Sequence, residues 1–259
     1  MLLVLDIGNT EITTGLFRGE SLVAHWRMTT NPDRTSDEWG SAIGAFLLQA
    51  GHSPNEVRAI CLASVAPQVT QSVVAGLESS TGLRATTVDP RSPLPIKLDV
   101  DEPMSVGADR IVNALAANVL FAGDAVVVDF GTATTFDCVT IDGRFIGGAI
   151  MPGLRTSADQ LTRRAAKLPA TELAPPEHAI GRRTEDCIRA GVLFGAADAV
   201  DGMIARIRKE WPNAGTPKVV ATGGLATTVT HFTHNIDAVD PDLTLRGLRI
   251  AARYLGLEW

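Results

Sequence analysis

The sequence predicts an α/β protein of two similar lobes, and three observations carry this. Two segments share one pattern: Val4–Phe17 reads VLDIGNTEITTGLF and Val127–Thr140 reads VVDFGTATTFDCVT. Each is an apolar strand, an Asp, any residue, a Gly, a Thr-bearing turn and a second strand. Asp6 and Asp129 stand about half a chain apart in the 259 residues. Strand patterns and helical patterns then follow each copy. One Asp-x-Gly is ordinary turn chemistry, but two opening strand–turn–strand units point to a duplicated lobe. The expected domains are residues 1–120 and 121–259, with a cleft between them and a terminal helix able to cross back to the first.

The elements read in order as follows. Leu2–Asp6, Ile12–Phe17 and Leu22–Met28 alternate with tight turns and form an antiparallel meander. A helix is expected over Ser36–Ala50, with Ser36 as its N-cap and Gly51 as its stop. Val57–Ala63 is a strand, Val69–Leu77 a helix entered through Pro67, and Ala85–Val88 a short strand. Asp89–Pro103, with four prolines, is an extended surface segment. Val106–Phe121 is a long apolar helix. The meander pattern returns in Ala125–Asp129, Ala133–Ile141 and Arg144–Ile150, with Asp142-Gly143 as a hairpin signal. Helices follow at Leu154–Ala166, Thr184–Trp211 and Leu243–Tyr254, with a strand at Lys218–Ala221 running into Thr222-Gly223-Gly224.

Composition removes several classes. A formal charge of −6 argues against nucleic acid as a partner. The apolar start Met1–Leu5 has no basic flank and meets an acid too early for a signal peptide, and no apolar run is long enough for a bilayer. Cys61, Cys138 and Cys187 are scattered and odd in number, which reads as three buried small hydrophobes in a reducing cytoplasm. His231 and His234 have no evident third ligand and read as an exposed turn, and Arg163-Arg164 and Arg182-Arg183 as solvated faces.

The chemistry concentrates at the turns. Gly8 and Gly131 let backbone approach a ligand; Thr10, Thr132, Thr134 and Thr135, with nearby N–H groups, can line a phosphate cradle. Asp6 and Asp129 end their strands, and a carboxylate beside phosphate usually acts through a cation such as Mg²⁺. There is no GxxxxGK[ST] and no strand-following GxGxxG, which excludes P-loop and dinucleotide machinery. In Val106-Gly107-Ala108-Asp109-Arg110, Gly107 frees the backbone at a helix start. Asp109 is a candidate base in the first turn, and Arg110 is a candidate carboxylate clamp. The glycines of Gly147–Gly153 and Gly223-Gly224 would let a nucleotide lie against backbone.

These residues are similar to one family from end to end. LDIGNTxxxxGLF, RTxDEW (Arg34–Trp39), SVAP (Ser64–Pro67), PxxVGADR (Pro103–Arg110) and DFGTATTFD (Asp129–Asp137) resemble type III pantothenate kinase. So do GGAIMPG (Gly147–Gly153), KLP (Lys167–Pro169), IGRRTEDCIRAG (Ile180–Gly191) and ATGG (Ala221–Gly224). The resemblance implies ribonuclease H-like lobes with mixed sheets flanked by helices, as in the actin-like ATPase superfamily. It implies ATP-dependent phosphorylation of pantothenate to 4'-phosphopantothenate, the first step of coenzyme A synthesis. It further implies Mg²⁺, a monovalent cation (K⁺ or NH₄⁺) and a homodimer. Asp109 matches the catalytic base. Asp6, Gly8, Asn9 and Thr10 match the phosphate turn, with Asp6 toward Mg²⁺ through water. Gly107, Ala108 and Arg110 match the pantothenate segment, and Asp129 the monovalent-cation ligand. Gly131 and Thr132 belong to the second phosphate turn, Gly223 and Gly224 to the nucleotide side. Thr184 matches a threonine that reaches the substrate of the partner subunit. Leu98–Pro103 departs from the family pattern, which often shows a tyrosine and an Asn-Pro there. The alternative reading is a regulatory or accessory protein that retains the fold without turnover.

Overall fold

The computed structural model describes residues 1–213 and 215–259. It divides into two compact units, Met1–Ala116 with Leu243–Trp259, and Ala117–Asp242. The division falls at Ala116/Ala117 rather than at 120/121, and Leu243–Trp259, the terminal helix expected to be able to cross back, belongs to the first unit.

The first unit holds β1 (Leu2–Ile7), β2 (Glu11–Arg18), β3 (Ser21–Thr29), α1 (Ser36–Gln49), β4 (Ala59–Ser64), α2 (Pro67–Thr81), β5 (Ala85–Thr87) and the two-residue β6 (Lys97–Leu98). Then come a 3₁₀ turn at Pro103–Ser105 and α3 (Ala108–Phe121), within which the boundary between the units falls. Five strands run in the order β3-β2-β1-β4-β5. β1, β2 and β3 are an antiparallel meander, while β4 and β5 run parallel to β1.

The second unit holds β7 (Ala125–Phe130), β8 (Ala133–Val139), β9 (Arg144–Pro152), α4 (Leu154–Arg164), α5 (Thr184–Glu210), β10 (Lys218–Thr222), α6 (Ala226–Val229) and β11 (Ala238–Val239). Its strands run β9-β8-β7-β10-β11, the same order and the same senses as β3-β2-β1-β4-β5. The duplication read from two turns therefore extends to five strands of each sheet.

β1 is central, so both its faces are covered and its residues are almost all buried, as a strand with two packed faces requires. Leu3, Leu5 and Ile7 join Ile60 and Leu62 against Trp39, Ile43 and Leu47 of α1 and Val69, Val73 and Leu77 of α2. α1 and α2 cross at glycines: a Cβ on Gly40 would lie 2.7 Å from the Gly76 carbonyl oxygen. The last helix, α7 (Leu243–Tyr254), packs on β1, β2 and β4. Leu243, Leu245, Leu248, Ala251 and Ala252 are buried, and Gly247 lets α7 touch the Val112 carbonyl of α3. This apolar stripe needs a sheet face to cover it, which is why the terminal helix returns to the first unit.

Three local readings are corrected. α1 is capped by Thr35, not Ser36. Thr35 accepts from the Glu38 N–H while the Glu38 carboxylate accepts from the Thr35 N–H, a reciprocal capping box. With Trp39 buried and the Arg34 guanidinium 4.6 Å over its ring, the RTxDEW motif is a helix start. α3 begins at Ala108, because Val106 closes the preceding 3₁₀ turn. Cys187 is exposed, on the outer side of the first turns of α5, while Cys61 and Cys138 are buried.

Candidate active site

In the first unit the β1–β2 connection places Asp6, half-buried, at the end of β1, with Asn9 and Thr10 exposed on the turn. The turn is tied at both ends. The Gly8 N–H donates to the Glu11 carbonyl at 3.0 Å, the Thr30 hydroxyl donates to the Gly8 carbonyl at 2.7 Å, and the Thr30 N–H to the Thr10 carbonyl at 3.0 Å. A Cβ on Gly8 would sit 2.8 Å from the Glu11 oxygen, so this tight return requires glycine.

Val65 links this turn to the start of α3. Its N–H donates to the Ile7 carbonyl at 3.0 Å, and its Cγ1 lies 3.3 Å from where a Gly107 side chain would begin. The same absent side chain would overlap Asp109 Oδ1. Gly107 thus does more than free the backbone: it leaves the space in which the Asp109 carboxylate rests. Oδ1 accepts the Arg110 N–H at 2.8 Å. Burial pushes the Asp109 carboxyl above its ordinary value, against the opposing pull of that N–H and of the Arg110 guanidinium. A carboxylate raised toward neutrality is a stronger proton acceptor than an exposed one. Ala108 is buried and Arg110 half-buried. Beside Gly107 and Ala108 opens a cavity of about 840 Å³, walled by Val65, Val74, Val88 and Val106 with Thr70 and Thr87.

In the second unit Gly131 and Thr132 are exposed at the β7–β8 turn, closed by the Gly131 N–H donating to the Ala133 carbonyl at 3.0 Å. Two other segments press onto it. The Gly153 N–H and the Thr156 hydroxyl, at the start of α4, donate to the Thr132 carbonyl at 3.1 and 2.6 Å. Gly223, at φ +92°, packs so closely that a side chain there would overlap Asp129 Oδ1 and lie 2.7 Å from the Phe130 nitrogen. Asp129, Gly131, Thr132, Gly223 and the exposed Gly224 are therefore one cluster. Asp129 pairs across the sheet with Thr135 on β8 and Thr222 on β10. Such oxygen donors suit a hard cation. Thr222 carries no signal in the sequence beyond its place in ATGG; only strand register sets it beside Asp129.

Thr184 is not in that cluster. It is exposed at the start of α5 and borders a second cavity, about 700 Å³, with Met151, Leu154, Ile188 and Val192. His231 and His234 are exposed, as are Arg163, Arg164, Arg182 and Arg183. Among the described residues no cluster of three His, Cys, Asp or Glu side chains is placed to hold a metal ion, and no helix is long and apolar enough to cross a membrane.

Two copies of a β-meander with a parallel extension, each with an Asp-x-Gly turn after its central strand, define the fold of the actin-like and sugar-kinase ATPases. The activator of 2-hydroxyisocaproyl-CoA dehydratase from Clostridium difficile, solved with bound ADPNP, shares it. The TM-score is 0.58 over 98% of this chain and 93% of that one, at 13% identity. Within that class, residues 2–206 match the family model of type III pantothenate kinase. The chain is 42% identical over 250 residues to a type III pantothenate kinase of Moorella thermoacetica, covering 96% of this chain and 98% of that protein. It is 41% identical over 253 residues to one from Listeria monocytogenes, covering 98% and 97%. The chain belongs to the type III pantothenate kinase family, and it is a phosphotransferase.

Proposed function

We infer that this chain transfers the γ-phosphoryl group of ATP to the terminal hydroxyl of pantothenate, giving 4'-phosphopantothenate. The observation that carries the mechanism is Asp109, a carboxylate kept in a burial-raised state in space that Gly107 vacates. It accepts and orients the hydroxyl proton. The cavity beside Gly107 and Ala108 is of the size that small-molecule sites use, about 300–1,000 Å³; its valines suit the dimethyl body of pantothenate, while Glu78 and Asp89 also line it and Asp109 and Arg110 do not. Arg110 holds the pantothenate carboxylate. Phosphoryl transfer asks mainly for positioning and charge neutralisation. Gly8, Asn9 and Thr10 form one short turn with exposed polar groups, and Gly131 and Thr132 form another; each is read by itself as a phosphate turn. Gly223 and Gly224 serve the nucleotide side.

Mg²⁺ held through water by Asp6, and K⁺ or NH₄⁺ held by Asp129, would supply the positive charge that the phosphates need. Carboxylate oxygens suit hard cations, and Asp129 has the Thr222 and Thr135 hydroxyls on the strands beside it, Asp6 only that of Thr13. We also infer a homodimer in which Thr184 completes the partner's acceptor site. Leu161, 42% exposed, lines the groove that Thr184 borders, and Ile150 and Ile180 are 64% and 86% exposed. The outer side of α5 there is small, with Gly191 and Gly195 exposed, so another helix could approach closely.

The test is ADP release across an acceptor panel of pantothenate, glucose and acetate. Stimulation by pantothenate alone is expected. Stimulation by glucose or acetate without pantothenate would transfer the chain to another kinase specificity, and none with any acceptor would favour the non-catalytic reading.

A further inference from the structure

We propose that Thr222 is a second protein ligand for the monovalent cation, its hydroxyl sharing the ion with the Asp129 carboxylate. This rests on the reading of Asp129 as the cation's ligand and adds to it a residue that no motif assigned. The argument begins with the sheet. Val126, Val128 and Phe130 of β7, Val219 and Ala221 of β10 and Phe136 of β8 all lie in one core cluster on one face. Successive side chains alternate between faces, so Asp129, Thr222 and Thr135 project to the other. Register makes them a row across three strands: Thr222 pairs with Asp129 in the parallel ladder, and Asp129 with Thr135 in the antiparallel one.

Thr222 is fully buried, and among the described residues its hydroxyl oxygen has no hydrogen-bond partner. Buried hydroxyls are almost always satisfied, since leaving one without a partner forfeits its hydration. A bound ion resolves this. The two proposed ligands, the Asp129 carboxylate and the neutral Thr222 hydroxyl, carry a single negative charge, and the buried Asp137 carboxylate lies behind Thr135 on the same face. Thr135 already donates its proton to the Asp137 carboxylate at 3.4 Å, which leaves its oxygen lone pairs available.

The internal duplication supplies a control. In the first unit the corresponding row is Ala63–Asp6–Thr13. Asp6 thus has a methyl group where Asp129 has the Thr222 hydroxyl. The two aspartates occupy matching places in the two five-strand arrays, and their register partners on the parallel side differ, Ala63 in one and Thr222 in the other. The second unit is in this way equipped for an ion that the first is not.

The experiment reads K⁺ binding directly. Melting temperature is followed against KCl with Mg²⁺ and the non-hydrolysable analogue ADPNP present, at constant ionic strength held with choline chloride. Wild type and Thr222→Ser are expected to half-saturate at similar K⁺. Thr222→Val keeps the shape without the oxygen and should need about ten-fold more K⁺, the low end of what a lost supporting group costs a metal site. Asp129→Asn should lose the response. If Asp129→Asn responds like wild type, or wild type shows no response, the cation reading itself fails and Thr222 with it. If Asp129→Asn is silent but Thr222→Val matches wild type, the reading of Asp129 survives and the role of Thr222 is overturned. A Thr222→Ser that behaves like Thr222→Val overturns it as well.

Discussion

Gly107→Ala separates the two roles that glycine could have at the start of α3. Its φ is not in the left-handed region, so the backbone itself accepts alanine. The new methyl would overlap Asp109 Oδ1 and also stand tight against Val65 Cγ1 at 3.3 Å. The carboxylate is the mobile partner and must swing by about 1 Å to regain ordinary contact. It would strain or lose the 2.8 Å bond from the Arg110 N–H, worth about 1 kcal/mol net. The stability loss is therefore small, and the lower chain entropy of alanine in the unfolded state offsets it by about 0.4–1 kcal/mol. Catalysis should suffer far more, because a 1 Å misplacement of a reacting group can cost about 10²-fold. The expected result is a kcat roughly 100-fold down by coupled ADP release, with a melting temperature within a few degrees of wild type. A Gly107→Ala enzyme with wild-type kcat would refute the reasoning, as would one inactive only because it is unfolded.

Asp109→Asn should lower kcat by about 10²–10⁴-fold yet stabilise the protein. Because burial raises the folded-state value of Asp109, its ionisation costs stability as pH rises from about 4 through that raised value. The variant's advantage in melting temperature should grow across the same window, and a constant difference would show that the carboxyl is not so perturbed. Gly223→Ala forces a left-handed φ of +92° on alanine against the Asp129 carboxylate and the Phe130 backbone. The strain alone, about 1–2 kcal/mol, implies a fall of about 2–8 °C in melting temperature, and unchanged melting would contradict the packing described. For the composite site, inactive Asp109→Asn and Thr184→Arg proteins mixed under subunit exchange should regain part of the activity. A fully active monomer in analytical ultracentrifugation would exclude that assembly.

Much of this protein was legible before any tertiary contact was known. The order of strands and helices follows from periodicity, turn residues and prolines, which act within about ten residues of themselves. Asp6-x-Gly8 and Asp129-x-Gly131 announced the duplication because a tight strand–turn–strand return has a local chemistry. The motifs spread along the chain, with PxxVGADR and DFGTATTFD together the specific ones, likewise sufficed for family and reaction. Relations between distant segments were decided only by the fold. RTxDEW turned out to cap α1, with Trp39 buried in the core, and α7 to cover β1, β2 and β4 of the first unit. Cys187 came to face outward. Thr222 became a neighbour of Asp129 because β10 pairs with β7 in one particular register. A shift of one residue would have turned its hydroxyl into the core. The hydrophobic pattern of both strands excludes that shift, but the pairing that brings the two side chains together spans more than ninety residues of chain, beyond the reach of any local rule.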